Sequence, residues 1–375
     1  MGETMNNEQS IFDLLPEDDK MKNHLVREKS TDWKWSFADY PPKNGLKVFS
    51  CFACGGGSTM GYKLAGCDVI GDCELDKRMN DVYVKNHHPR YNYLMDIRDF
   101  NNLDDLPEEL YHLDILDGSP PCSTFSMAGE REDAWGKEKK FREGQKVQTL
   151  DDLVFVFIET VAKLRPKVAI MENVEGVLLG SAWKYVKQIY KMFHNIGYKV
   201  RHELLKGEDM GVPQTRHRVF FVATRLGFDL QDIDLNFYYE PIRYKDIKDG
   251  IGHTIGRNTK TFAIMQNAQN GDKSIAGTRV RMGQKGSAYQ TYYIRPNDIM
   301  MTLRSKPDII DLEEQSYISK ESIRNASTFP QDYDFGNNAT NTVAYICGMS
   351  VPPLMIKRLV NRLIDSGIFN KGEQL

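Results

Sequence analysis

The stretch "LKVFSCFACGGGSTMGYKLAGCDVIGDCE" (Leu46–Glu74) decides the reading of the fold. "LKVFSCF" is a short apolar run of the kind that forms a buried strand. "ACGGG" follows as a turn, because glycines adopt backbone shapes that other residues resist. "STMGYKLAG" reads as a helix closed by Gly66, and "CDVIGDCE" as a second strand. Strand, glycine turn, helix and strand in that order begin a parallel α/β unit.

Working outward, the alternation continues. "DKRMNDVYVKNH" has helical spacing, and "YNYLMDI" and "LDILDGSP" read as strands. "LDDLVFVFIETVAKLRP" is a long apolar helix stopped by Pro166. "KVAIMENV" is a strand, and "AWKYVKQIYKMFHNIG" is an amphipathic helix ending at Gly197. "YKVRHELL" and "RVFFVAT" are strands. Strands alternating with helices over some 180 residues predict a parallel sheet covered by helices. Near Leu226 the alternation stops. Residues 241–310 hold 12 Lys/Arg against 5 Asp/Glu, in a chain whose net charge is −3. The segment is rich in Gly, Asn, Gln, Thr and Tyr, and reads as a small, irregular, basic second domain. The alternative is a solvated, loop-rich insertion. Helical signals return in "SKESIRNASTF" and "PPLMIKRLVNRLIDSG", which are expected to pack back on the first domain. The division predicted is a polar extension (1–44, with Trp33 and Trp35), a catalytic and cofactor-binding domain (45–227), a recognition domain (228–292) and a returning C-terminal segment (293–375).

The chain has 375 residues, 41% hydrophobic and 27% charged, within the range of globular proteins. No window approaches the roughly 18 consecutive apolar residues of a membrane span. The N-terminus has no basic start and no long apolar core, so no secretory signal is read there. These features predict a cytoplasmic monomer with its six cysteines reduced. "CFAC" (Cys51–Cys54) matches a redox or metal pair, but no second pair stands at zinc spacing, and no metal is expected.

Three groups of residues carry chemistry. The glycine turn opens a helix, whose free N–H groups favour a ligand. Glu74 ends the second strand, about 20 residues on, where an acid suits two ribose hydroxyls. With no phosphate-binding cation nearby, this pattern fits an adenosine without pyrophosphate, such as S-adenosylmethionine. Cys122 follows two prolines at the carboxyl end of a strand, where open α/β sheets bind ligands; a thiol there is either packing or a nucleophile. Glu172 and Asn173 end the next strand. Arg216 and Arg218 alternate at a strand start and so share a face, suited to a phosphate, a base carbonyl or surface ion pairs.

Together, "FSCFACGGG", "ELDK…VYVKNH", "DGSPPCSTFSMAG", "MENVEG", "GVPQTRHRVFFVA" and "ICGMSVPP" resemble the motif series of the DNA cytosine-5 methyltransferases, over roughly residues 46–225 and 293–365. The resemblance implies a Rossmann-like, S-adenosylmethionine-dependent methyltransferase sheet with a smaller, irregular target-recognition domain. It implies methyl transfer to carbon 5 of cytosine in double-stranded DNA at a short specific sequence, within restriction-modification. Cys122 would attack the base, Glu172 would hold and protonate it, and Arg216 and Arg218 would bind the extruded nucleotide. The cofactor residues implied are Phe52, Ala53, Gly55, Gly56, Gly57, Glu74, Leu75, Asp96, Ile97, Ser119, Pro121, Ser350 and Val351. Three positions depart from the pattern: Cys54 replaces a glycine, Ser123 a glutamine, and Met349 an asparagine. In the basic segment, "GTRVRMGQKG" is the candidate for DNA contact, with Arg279 and Arg281 on one face of an extended strand, and Lys285 beside them. Two other readings stand against this one: an RNA (tRNA) methyltransferase of the same fold, and a catalytically silent DNA-binding module. The charged stretch 129–146 is a candidate lid.

Overall fold

The computed structural model describes residues 27–121, 153–225, 230, 233–286, 291–306 and 308–370. Cys122, Ser123 and the charged stretch 129–146 lie outside the described residues. The first half of the chain runs β1 (Lys47–Cys51), α1 (Gly57–Leu64), β2 (Asp68–Glu74), α2 (Lys77–His87), β3 (Tyr91–Leu94), α3 (Ile97–Asn101), β4 (Ile115–Gly118), α4 (Leu153–Leu164), β5 (Val168–Val174), α5 (Trp183–Asn195), β6 (Tyr198–Lys206) and β7 (His217–Arg225). These strands form one sheet in the order β3-β2-β1-β4-β5-β7-β6. Period-2 alternation sends neighbouring apolar residues to opposite faces. Val48, Ile115, Ile170 and Phe220 join one core, and Phe49, Leu116, Met171 and Phe221 join the other.

The sheet is not wholly parallel. β7 runs antiparallel to both β5 and β6. The reason is the connection from β6, residues 207–216, which contains only a 3-10 turn. A parallel neighbour would need a longer crossover with a covering helix.

The second half runs α6 (Tyr244–Ile247), α7 (Lys260–Met265), α8 (Ile275–Arg281), β8 (Tyr292–Ile294), β9 (Ile309–Asp311), β10 (Ser316–Tyr317), α9 (Lys320–Ala326), α10 (Thr340–Met349) and α11 (Pro353–Asp365). A small three-stranded sheet, β10-β9-β8, packs with α7 and α8 around Ile255, Met265, Ile275, Tyr293 and Ile310. This small core therefore continues past residue 292, through a sheet formed by residues 292–317.

The C-terminal helices do pack back on the large sheet. α11 lies against α1 so closely that a Cβ on Gly61 would sit 2.5 Å from Ile356 Cβ and from the Pro353 carbonyl oxygen. Thr340–Asp365 is apolar enough to pass for a membrane span by length and composition. In the structure it is two helices, broken at Ser350–Pro352 and largely buried in the core.

Candidate active site

The sheet changes winding direction between β1 and β4, and the crevice at the carboxyl edge there is where open α/β sheets hold ligands. β1 and β2 lead into this edge at Cys51 and Glu74, β4 leads in at Gly118, and β5 brings Glu172. Because β7 is reversed, its first residues start at the same edge. The register pairs Val174 with Arg218 and Glu172 with Phe220.

The turn after β1 is conformationally demanding. Phe52 (φ 56°) and Cys54 (φ 48°) are left-handed without being glycine, and Gly56 (φ 81°) is left-handed too. Left-handed backbone costs about 1–2 kcal/mol for a residue with a Cβ. The replacement of glycine by Cys54 thus meets a position that glycine would occupy freely. Glu74 reaches under this turn. Cys54 N–H donates to its Oε2 (2.8 Å), and Asp76 N–H donates to its Oε1 (2.7 Å). Burial pushes the Glu74 carboxyl up, and these N–H donors pull it back. Leu75, beside it, is 38% exposed despite its size. Asp96 caps α3 by accepting from Arg98 N–H (2.9 Å), and Ile97 is buried.

The glycines have protein reasons as well. A Cβ on Gly57 would lie 2.3 Å from the Val351 carbonyl oxygen and 2.7 Å from Ser350 Cβ. The segment Ser350–Val351, between α10 and α11, thus packs directly on the turn. Burial pushes the Cys54 thiol up to about 12, and the Cys51 thiol, deep in the sheet, well above its usual range. Both stay protonated thiols, which argues against the redox reading of "CFAC".

Sequence reasoning missed Asp117, on β4. It is 2% exposed and accepts three hydroxyls: Ser50 (2.8 Å) and Ser58 (2.7 Å) on Oδ2, and Tyr62 (3.0 Å) on Oδ1. Burial pushes its carboxyl up to about 6, with the hydroxyls pulling against burial. It ties the first turn of α1 to the strand that leads through Ser119 and Pro121 to Cys122. The available signal was Ser58 and Tyr62 at i and i+4 on one helix face, opposite a strand aspartate.

Glu172 and Arg218 form an ion pair (Oε1 to Nε, 2.8 Å) with both side chains mostly buried. Arg216 does something different. It is 3% exposed, and its guanidinium donates to the carbonyls of Leu303 (3.3 Å) and Gly348 (3.2 Å). Burial, with Arg218 nearby, lowers its pKa to about 9. Arg216 therefore clamps the residues after the small sheet's first strand, and the end of α10, to the large sheet.

Arg279 and Arg281 are not on a strand. They lie on α8, which Ser274 caps by accepting from Gly277 N–H (3.1 Å). Two residues apart on a helix, they point in divergent directions. Arg281 is held by both oxygens of Asp272, with Nε at 3.1 Å from each. Its neighbours Val280 and Met282 are exposed, as is Lys285.

The chain is 32% identical to the Type II methyltransferase M.FnuDI of Fusobacterium nucleatum over 209 residues, 55% of each chain. It is 24% identical to M1.HphI of Haemophilus parahaemolyticus over 346 residues, 85% of this chain and 87% of that one. It thus spans about half the length of M.FnuDI and most of M1.HphI. Among solved structures, a prophage-encoded E. coli protein described as a DNA modification methyltransferase superposes with a TM-score of 0.63 at 18% identity, over 87% of this chain and all of that one. S. pombe Dnmt2 superposes with a TM-score of 0.56 at 15% identity, over 86% and 99%. These two likenesses show the methyltransferase fold. The sequence model of the C-5 cytosine-specific DNA methylases matches residues 46–365, most of the chain, and the chain belongs to that family.

Proposed function

We propose that this protein transfers a methyl group from S-adenosylmethionine to carbon 5 of cytosine in double-stranded DNA, at a short specific sequence, through a covalent Cys122 adduct on a flipped-out base. One observation carries the reading. The crevice at the switch point gathers Glu74, the Glu172–Arg218 pair and the strand running into Pro120-Pro121-Cys122. The match to Type II methyltransferases supports the same reading and a place in restriction-modification.

The residues present fit the cofactor. Glu74 accepts backbone N–H groups of Cys54, Asp76 and Leu75, and a carboxylate's four acceptor positions leave room for a donating hydroxyl. Exposed Leu75 offers an apolar surface beside it. Arg216 and Arg218 are already engaged, which suits an adenosine lacking pyrophosphate. Glu74 would hold the ribose and Phe52 the adenine, with Ala53, Gly55, Gly56, Gly57, Asp96, Ile97, Ser119, Pro121, Ser350 and Val351 framing the pocket. When bound, the cofactor supplies an electrophilic methyl group on a sulfonium.

The rest is this chain's work. Carbon 5 of cytosine is a poor nucleophile. Addition of the Cys122 thiolate at carbon 6 breaks the ring's aromaticity and makes carbon 5 enamine-like, ready for a methyl group. Glu172, acting as a carboxylic acid, holds the ring at N3 and gives it a proton as negative charge develops there during the addition. Arg218 Nε, 2.8 Å from Glu172 Oε1, fixes the carboxyl group in place. Once carbon 5 carries the methyl group, a base removes its proton and the Cys122 thiolate leaves carbon 6, which restores the ring and frees the enzyme. A base in a duplex must leave the stack first, at a cost of a few kcal/mol. The basic small unit would hold the duplex, with exposed Lys285 and the half-buried Arg279 offered to phosphate or base edges, while Arg281 braces α8 through Asp272.

Trapping tests the proposal. Fluorine at carbon 5 blocks the final elimination, so duplex DNA carrying 5-fluorocytosine should form a stable adduct whose tryptic peptide contains modified Cys122. An adduct on 5-fluorocytosine RNA alone would transfer the activity to RNA. Tight DNA binding with no adduct on either would favour the silent module.

Glu74→Ala should weaken cofactor binding by roughly 1–3 kcal/mol, the range for hydrogen bonds to a charged group. It also frees the Cys54 and Asp76 N–H groups. Unchanged affinity by calorimetry would remove Glu74 from the site.

A further inference from the structure

The left-handed turn at Phe52 and Cys54 is costly and persists only because its surroundings impose it. Part of what imposes it lies behind the turn. The Gly55 carbonyl accepts from the Tyr333 hydroxyl and from His87 Nε2 (3.3 Å). A Cβ on Gly55 would sit 3.0 Å from that hydroxyl, and one on Gly56 would sit 2.1 Å from His87 Nε2. The turn therefore rests on these two rings. Burial pushes the His87 imidazole down to about 3, so it is a neutral ring with one N–H throughout the working pH range.

Behind these rings lies a second layer, from the N-terminal segment. Phe37 stands 6.3 Å from both His87 and Tyr333, ring centre to ring centre. Trp35 (6.1 Å) and Tyr40 (5.8 Å) pack on Phe37 in turn. The segment is anchored by specific bonds. Trp35 Nε1 donates to the Thr328 carbonyl (2.7 Å), Gln331 N–H donates to the Trp35 carbonyl (2.8 Å), and Phe37 N–H donates to the Asp332 carboxylate (3.1 Å). All three partners lie within five residues of Tyr333.

We propose that the aromatic patch Trp35–Phe37–Tyr40, acting through Tyr333 and His87, positions the glycine turn for the cofactor. The N-terminal segment is then a functional part of the cofactor site. Its members are positioning residues, since none of them touches a reacting atom. The proposal rests on the reading of this turn as the S-adenosylmethionine site. The competing account is that the patch adds stability and nothing else.

The test uses the full chain with Tyr333→Phe, Phe37→Ala and Phe37→Leu. Calorimetry gives the Kd for S-adenosylmethionine, steady-state methylation gives KM and kcat, and thermal melts give stability. Tyr333→Phe should raise Kd and KM for S-adenosylmethionine by about tenfold, as losing one hydrogen bond of ordinary strength would, and Phe37→Ala, which removes the ring behind Tyr333 and His87, should raise them by a similar factor. At saturating cofactor, kcat and the KM for DNA should stay within about twofold, and Phe37→Leu should recover most of the affinity. Lowered melting temperatures with wild-type cofactor affinity would overturn the proposal and leave the patch a purely structural role. Tyr333→Phe removes a single oxygen atom and tests the link from the ring to the turn, and if Phe37→Ala fails to fold, Trp35→Phe, which keeps an aromatic ring while removing the indole N–H bond to Thr328, tests the N-terminal segment by the same rise in Kd, an unchanged Kd overturning the proposal. Wild-type protein that binds no S-adenosylmethionine would overturn the cofactor reading itself, whereas variants matching a binding-competent wild type would overturn this proposal alone.

Discussion

Cys122→Ser is expected to abolish methyl transfer, with a fall in kcat on the order of 10⁴ or more, as when other enzymes lose their nucleophile. A serine hydroxyl ionises far less readily than a thiol, so almost no alkoxide is present to add to carbon 6. The cofactor should still bind within about twofold of wild type, because Glu74 and the glycine turn belong to other elements. Transfer of labelled methyl groups to DNA, measured beside calorimetry of cofactor binding, separates the two effects. Near-wild-type turnover in the serine variant would mean that another group attacks the base.

Glu172→Gln should cost about 10²–10⁴ in kcat, the usual contribution of a positioned acid. The amide keeps the shape of the side chain and loses its ability to give a proton to N3. It also keeps an oxygen for Arg218, so the folded state should lose only about 1–1.5 kcal/mol, the difference between a charged and a neutral partner. Single-turnover methylation and a denaturant melt check both. A rate within a few-fold of wild type would show that the proton reaches the base by another route.

The inner strands of the large sheet were legible because buried strands read as continuous apolar runs, whereas the edge strands β3 and β6 are more polar and partly exposed. "KVAIMENV" and "RVFFVAT" needed no other information to be placed. The direction of β7 was not legible, since apolar runs carry no polarity and the ten residues between β6 and β7 decide it. Arg279 and Arg281 were misread for a local reason. Gly277, Thr278 and Val280 all disfavour helix. The cap from Ser274, the Thr278 hydroxyl bond to Asp272 (3.0 Å) and the Arg281–Asp272 pair outweigh that preference. In the candidate site, the placement of Glu74 at the end of β2, beneath the glycine turn, was legible from its spacing in the sequence. The clamp made by Arg216 was not, because its partners are backbone carbonyls 87 and 132 positions away in the chain. A carbonyl leaves no mark on a sequence.

The close packing of α11 on α1 also sets a timetable for synthesis. Nearly 300 residues separate the two helices, and a ribosome adding about 5–20 residues per second takes roughly 15 to 60 seconds to bridge that gap. Throughout that interval Met60 and Leu64, members of the core that α11 completes, have no Met355, Ile356 or Leu359 to cover them. Ser350 and Val351, which close over the glycine turn, emerge just before α11. During that interval the apolar face of α1 is uncovered and the glycine turn lacks the segment that packs on it, so the fold closes only when the last helix arrives.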